Sequence, residues 1–184
     1  MGGRTLPSLS SPARVPNRKH IQVKKMAQTQ THLYRSVMDE RFMIKIGDYP
    51  GDGVLDPRWE KSTYVDRKGK TRRSRADVNV TLGANGPEVE VARGTSLHDV
   101  PRWYSFPDFW IPEGTEYSDA DIHVHKDVDL RTSPYNPKLP GFHYQLEPKY
   151  QMAVLSFKGA LDNMARAAVV RQIALSRGRE KSNA

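Results

Sequence analysis

The sequence predicts an α+β domain, and three observations carry that expectation. Short runs of alternating apolar and polar residues, bounded by Gly, Pro, Asn and Asp, recur through the chain and outnumber helical segments. From Val154 to Leu175 the apolar residues instead fall at helical spacing. Strands and helices do not alternate as a parallel βαβ architecture requires, and no internal repeat is present.

Residues 1–30 are rich in Ser, Pro and basic residues and hold no acid. That composition predicts a disordered basic leader, with mitochondrial targeting as a less favoured reading because no amphipathic apolar face is visible. The segment THLYRSV (31–37) reads as a first strand, and SVMDERFMIKIG (36–47) as a brief helix ending at Gly47. Residues 61–75 carry seven basic residues against one acid and read as an exposed hairpin or loop. VNVTLGANGPEVEVARGTSL (78–97) places two alternating runs around Ala-Asn-Gly-Pro, a hairpin signal. WYSFPDFWIPEGTEY (103–117) is aromatic and broken by proline, which predicts a buried irregular connection. DIHVHKDV (121–128) and FHYQLEP (142–148) alternate again and read as strands. The last element is a helix built on Val154, Phe157, Leu161, Met164, Ala165, Ala168 and Leu175, with Gly178 at its C-terminal end. The organisation expected is a leader over 1–30, a folded body over 31–178 and a tail over 179–184. A body of that size buries enough surface to fold without a staple.

Composition removes several classes of function. The chain has no cysteine, so disulfides, thiolate nucleophiles and Cys-ligated zinc are excluded. No apolar run approaches the roughly 18 residues of a membrane helix, so the expectation is a soluble protein without a membrane partner. The net charge of +8 suggests a polyanion partner, but the leader supplies six of those charges. The remaining residues hold 23 basic side chains against 21 acidic ones, so nucleic-acid binding would come from the leader or from a local patch.

Candidate residues cluster on the strands. In FHYQLEP, period-two alternation sets His143, Gln145 and Glu147 in a row on one face, either a wet face or an active-site floor. His123 and His125 share a strand face with Asp121, a spacing that suits metal ligands but equally an ordinary solvated strand; no metal is expected. Arg35, between Tyr34 and Ser36, is either a bidentate anion ligand or a surface arginine. Gly94 allows close backbone approach, and Thr95 and Ser96 follow it with two hydroxyls.

Taken in order, LYRS (33–36), GTSLHD (94–99), FWIPEGTEYSDADIHVHKD (109–127), SPYNPKLPGFHYQLEP (133–148) and ALDNMARAAVVRQ (160–172) resemble the ADP-ribosyltransferase-like toxin domain family of type VI secretion effectors. The resemblance implies two small packed β-sheets forming an NAD cleft, with flanking helices and a long C-terminal helix. It implies NAD as substrate and mono-ADP-ribosyl transfer to an unknown macromolecular acceptor in the cytoplasm, with an antidote protein as a partner. The family's required positions fall on Thr95, Ser96 and His143, and its first-strand arginine on Arg35. A member of that family lacks the Gln and Glu found here at 145 and 147, whereas typical ADP-ribosyltransferases use a glutamate there. Glu147 is thus either a catalytic acid or an incidental surface residue. Tyr34 would stack on nicotinamide and Gln145 would help bind NAD, with Trp103, Tyr104 and Phe106 as further stacking candidates. The rival readings are a non-enzymatic nucleic-acid-binding module and an NAD glycohydrolase.

Overall fold

The computed structural model describes residues 25–37, 53–65, 69–101, 107–132 and 141–182. Among them the chain forms, in order, β1 (Met26–Gln28), β2 (Leu33–Ser36), β3 (Ser62–Val65), β4 (Thr71–Ser74), β5 (Val80–Gly83), β6 (Gly86–Val89), β7 (Thr95–His98), β8 (Asp108–Ile111), β9 (Glu116–Ser118), β10 (Ile122–Asp129), a 3-10 turn at Leu130–Thr132, β11 (Phe142–Pro148), β12 (Met152–Ala153) and α1 (Val154–Ser182). The class is α+β, as the alternation predicts. The sheets are small: one of five strands in the order β10-β11-β7-β2-β8, one of three in the order β12-β6-β5, and the pairs β1-β9 and β3-β4.

The five-stranded sheet is antiparallel at every junction. Paired residues therefore share a face, and alternate residues take opposite faces. Leu33, Leu97, Phe109, Ile111, Ile122 and Leu146 fall on one face and are buried. They join Phe157, Leu161, Met164, Ala165 and Ala168 of α1 in a single apolar cluster. The small residues Ala165 and Ala168 let the helix lie close, and Phe157, with no exposed surface, is worth about 3 kcal/mol of burial. Leu55 and Val78 close the cluster from the connecting segments.

Several elements differ from the sequence expectation. Residues 25–30, expected to be leader, include β1, which pairs with β9. Thr29 fixes this junction, since its hydroxyl donates to the Pro112 carbonyl at 2.8 Å and accepts from the Thr115 amide at 3.0 Å. The aromatic segment expected to be irregular contains β8 and β9. Proline brackets β8 at 107 and 112 rather than interrupting it, so Phe109 and Ile111 alternate inward without losing a ladder bond. The final helix passes through Gly178 to Ser182. Gly178 is not among the glycines with positive φ, and Arg177, Arg179 and Lys181 around it are good helix formers. The helix expected over 36–47 lies, from residue 38 onward, outside the described residues, as do Trp103, Tyr104 and Phe106. Two expectations hold closely. The basic segment is the hairpin β3–β4, and Ala84 and Asn85 turn β5 into β6. No described helix is long and apolar enough to cross a membrane.

Gly94 explains how β7 and β11 can meet. A Cβ at this position would lie 1.7 Å from the Leu146 carbonyl oxygen, a backbone atom that cannot rotate away. Gly94→Ala is therefore expected to destabilise the protein by about 3 kcal/mol through overpacking, lowering the melting temperature by roughly 6–12 °C. An unchanged thermal melt would contradict the close approach.

Candidate active site

The open face of the five-stranded sheet carries a continuous polar field. β11 lies between β10 and β7, and the register sets His143 opposite His98, Gln145 opposite both Ser96 and His125, and Glu147 opposite His123. On the next strand Tyr34 lies opposite His98. Tyr34, Ser96, His143, Gln145 and Glu147, five of the seven catalytic or NAD-binding candidates among the described residues, thus share one face. The other two, Arg35 and Thr95, alternate onto the face that carries Leu33, Leu97 and Leu146.

Asp127 organises the centre of this field. Its Oδ2 accepts from Gln145 Nε2 at 3.0 Å and sits 2.9 Å from His143 Nδ1. Burial alone would raise the Asp127 carboxyl, but hydrogen bonds from Gln145 and His143 and the neighbouring imidazoles outweigh it and hold it below the usual carboxylate value. An ionised carboxylate only accepts, so His143 carries its proton on Nδ1 when neutral, which leaves Nε2 as its acceptor atom. Gln145 is held from its other end too, because its Oε1 accepts from the Gly94 amide at 3.3 Å. The pairing between β10 and β11 shifts register between Lys126 and Asp129, and this bulge adjoins the Asp127 contact.

Glu147 is buried at 7 % exposure, against the habit of glutamate. Its Oε1 lies 3.2 Å from His125 Nδ1 and its Oε2 lies 4.0 Å from His123 Nδ1. The two imidazoles stack with planes 5° apart and centroids at 5.6 Å. Among the described residues no group of three His, Asp or Glu side chains is arranged to hold a metal ion. Asp121 instead accepts from the Ser118 hydroxyl at 2.7 Å. A depression of about 210 Å³ opens beside Glu147 and His123, lined also by Val91, Pro148 and Lys149. It is smaller than the ~300 Å³ at which small-molecule pockets begin, so it admits only part of a dinucleotide.

Arg35 and Thr95 brace the field from beneath. The Thr95 hydroxyl, without exposed surface, donates to the Leu55 carbonyl at 2.5 Å. Arg35 donates to the Ser96 carbonyl at 3.0 Å and the Asp56 carbonyl at 3.1 Å, and lies 3.8 Å from Asp77. Asp77 in turn pairs with Arg58 at 2.6 Å. The hydroxyls of Thr95 and Ser96 therefore address opposite sides of the strand. Adjacent strand residues always do so, and that geometry separates their roles.

Asp127 and His98 were not singled out from the sequence. The signal for Asp127 was present: His123, His125 and Asp127 alternate along one strand, and the same period-two reading applied to β11 would have included it. His98 is 5 % exposed, its ring 5.4 Å from that of His143. Burial, then the charges of His143 and Arg35, push its pKa down to about 4, so it is neutral at pH 7.

A family profile described as Tse2 ADP-ribosyltransferase toxin matches residues 13–173. The chain belongs to the Tse2 ADP-ribosyltransferase toxin family. It is a toxin with mono-ADP-ribosyltransferase activity, and the family uses NAD as its substrate. No curated protein matches the chain.

His98 makes stability depend on pH. Its pKa is about 4 folded against 6.5 in the unfolded chain. The unfolded chain therefore binds more protons between these values. Its contribution is whole above pH 6.5 and falls away as pH drops to about 4, a loss of roughly 3 kcal/mol. Urea unfolding of His98→Gln beside the parent is expected to remove that part of the acid sensitivity. Parallel pH profiles for the two proteins would contradict it.

Proposed function

We propose that NAD lies along the polar face formed by β10, β11, β7 and β2, with its nicotinamide ribose over Ser96, His143 and Glu147. The observation that supports this reading is the alignment of those three side chains on one face, with Asp127 and Gly94 holding the intervening Gln145 from both ends.

The reaction breaks the N-glycosidic bond between nicotinamide and ribose. The bonding electrons pass to the ring nitrogen, nicotinamide leaves neutral, and C1′ becomes oxocarbenium-like. The acceptor then attacks C1′ and gives up a proton. Glu147 faces the developing cation and stabilises it from a site with little competing water. His143, with Nε2 as its acceptor atom, accepts a hydrogen bond from a ribose hydroxyl. The Ser96 hydroxyl meets the same sugar, Gln145 fixes the floor between them, and Tyr34 stacks on nicotinamide. In this reading Arg35 is a positioning residue. It holds the Ser96 carbonyl rather than gripping a phosphate, and Thr95 holds the segment at Leu55. We assign ADP-ribose transfer to a cytoplasmic macromolecule, and an antidote protein as the partner that protects a cell making the toxin.

Nicotinamide release and transfer of labelled ADP-ribose, followed together in cell lysate, test the reading. Glu147→Gln is expected to lower release by about 100–1,000-fold. His143→Ala is expected to lower it by about 100-fold or more, with Ser96→Ala also reduced. Full activity in Glu147→Gln would sink the assignment, and release without labelled macromolecule would make water the acceptor.

A further inference from the structure

The hairpin β3–β4 forms a sheet of its own, apart from the enzyme's three other sheets. Its charge is also distinct. Residues 61–75 hold seven basic side chains against one acid, while the rest of 31–184 holds 16 against 20. The basic character of the folded body is therefore concentrated in this one ribbon. Lys61, Lys70, Arg72, Arg73 and Arg75 are all exposed.

The register distributes those charges on both faces. Thr63 pairs with Arg73 and Tyr64 with Arg72, so the two arginines point to opposite sides of the ribbon. Lys61 and Arg75 extend the charge at the base, and Lys70 at the tip. A membrane-docking element needs one apolar face against the bilayer, and this ribbon has a cation on each. A narrow two-stranded ribbon charged on both sides instead matches a groove with phosphates on either wall. The B-DNA major groove is about 12 Å wide and admits a two-stranded β-ribbon, whereas the deep, narrow major groove of A-form RNA does not.

We propose that the β3–β4 ribbon is a nucleic-acid-binding arm that enters the major groove of duplex DNA, contacting phosphates with Arg72 and Arg73 from opposite faces. The arm is separate from the face assigned to NAD and does not depend on that assignment.

Fluorescence anisotropy of the full chain on a labelled 20-base-pair DNA duplex, titrated between about 50 and 200 mM salt, tests the proposal. The parent and the variant Arg72→Gln/Arg73→Gln/Arg75→Gln are compared, with circular dichroism and nicotinamide release showing that the variant is folded and active. The expected result is salt-dependent DNA binding by the parent. The variant should bind at least about 30-fold more weakly, with the log–log salt slope shallower by about 2–3 because each lost phosphate contact removes about 0.9. Equal binding by parent and variant overturns the proposal and transfers the affinity to residues 1–30. No DNA binding, tighter binding to an RNA duplex of the same sequence, or tighter binding to phosphatidylserine vesicles overturns it as well.

Discussion

Leu146 has no exposed surface, and its burial beneath the sheet determines which way Gln145 and Glu147 face. In an antiparallel sheet the side-chain period is two, so a slip of one residue in β11 would drive Glu147 into the core and Leu146 into water. The same condition holds for Leu97 between Ser96 and His98, and for Leu33 before Tyr34. Three strands thus keep their polar residues on the open face because their apolar residues are claimed by α1 and the segments around it. Gly94 permits the arrangement, since any larger residue there would push the Leu146 carbonyl away.

The second layer of control is polar. Arg35 and Thr95 tie the strand that carries Ser96 to the carbonyls of Leu55 and Asp56, from the buried side. These contacts satisfy buried and half-buried polar groups, where a lost partner costs about 1–3 kcal/mol. On the open side Asp127 does comparable work by accepting from His143 and Gln145. A change at Thr95 and a change at Ser96 therefore reach the same strand by different routes. The first loosens the support, and the second alters the surface offered to a ligand.

Much of this was legible in the residues. FHYQLEP alternates cleanly, and the row His143, Gln145, Glu147 follows from period two alone. The helix from Val154 was legible because its apolar stripe recurs at helical spacing from Val154 to Ala168, and the basic hairpin because charge and turn residues coincide. Other features depend on partners distant in sequence. Nothing near Met26 announces that it pairs with Ser118, and the prolines flanking β8 resemble strand breakers until its neighbours are known. Arg35 could not be distinguished as ligand or brace without the positions of Ser96 and Asp56. The burial of Glu147 likewise depends on His123 and His125, which come from another strand. The family resemblance supplied the chemistry, while the register supplied the division of the candidate residues between two faces.

In the proposed arrangement the open face, rather than the Arg35–Thr95 side, receives NAD. A crystal structure of the Glu147→Gln protein with NAD bound tests it most directly. The expected result is the nicotinamide ribose within hydrogen-bond reach of residue 147, His143 Nε2 and the Ser96 hydroxyl, with Arg35 still bonded to the Ser96 carbonyl. NAD seated against Arg35 and Thr95, with their bonds to Asp56 and Leu55 broken, would contradict it.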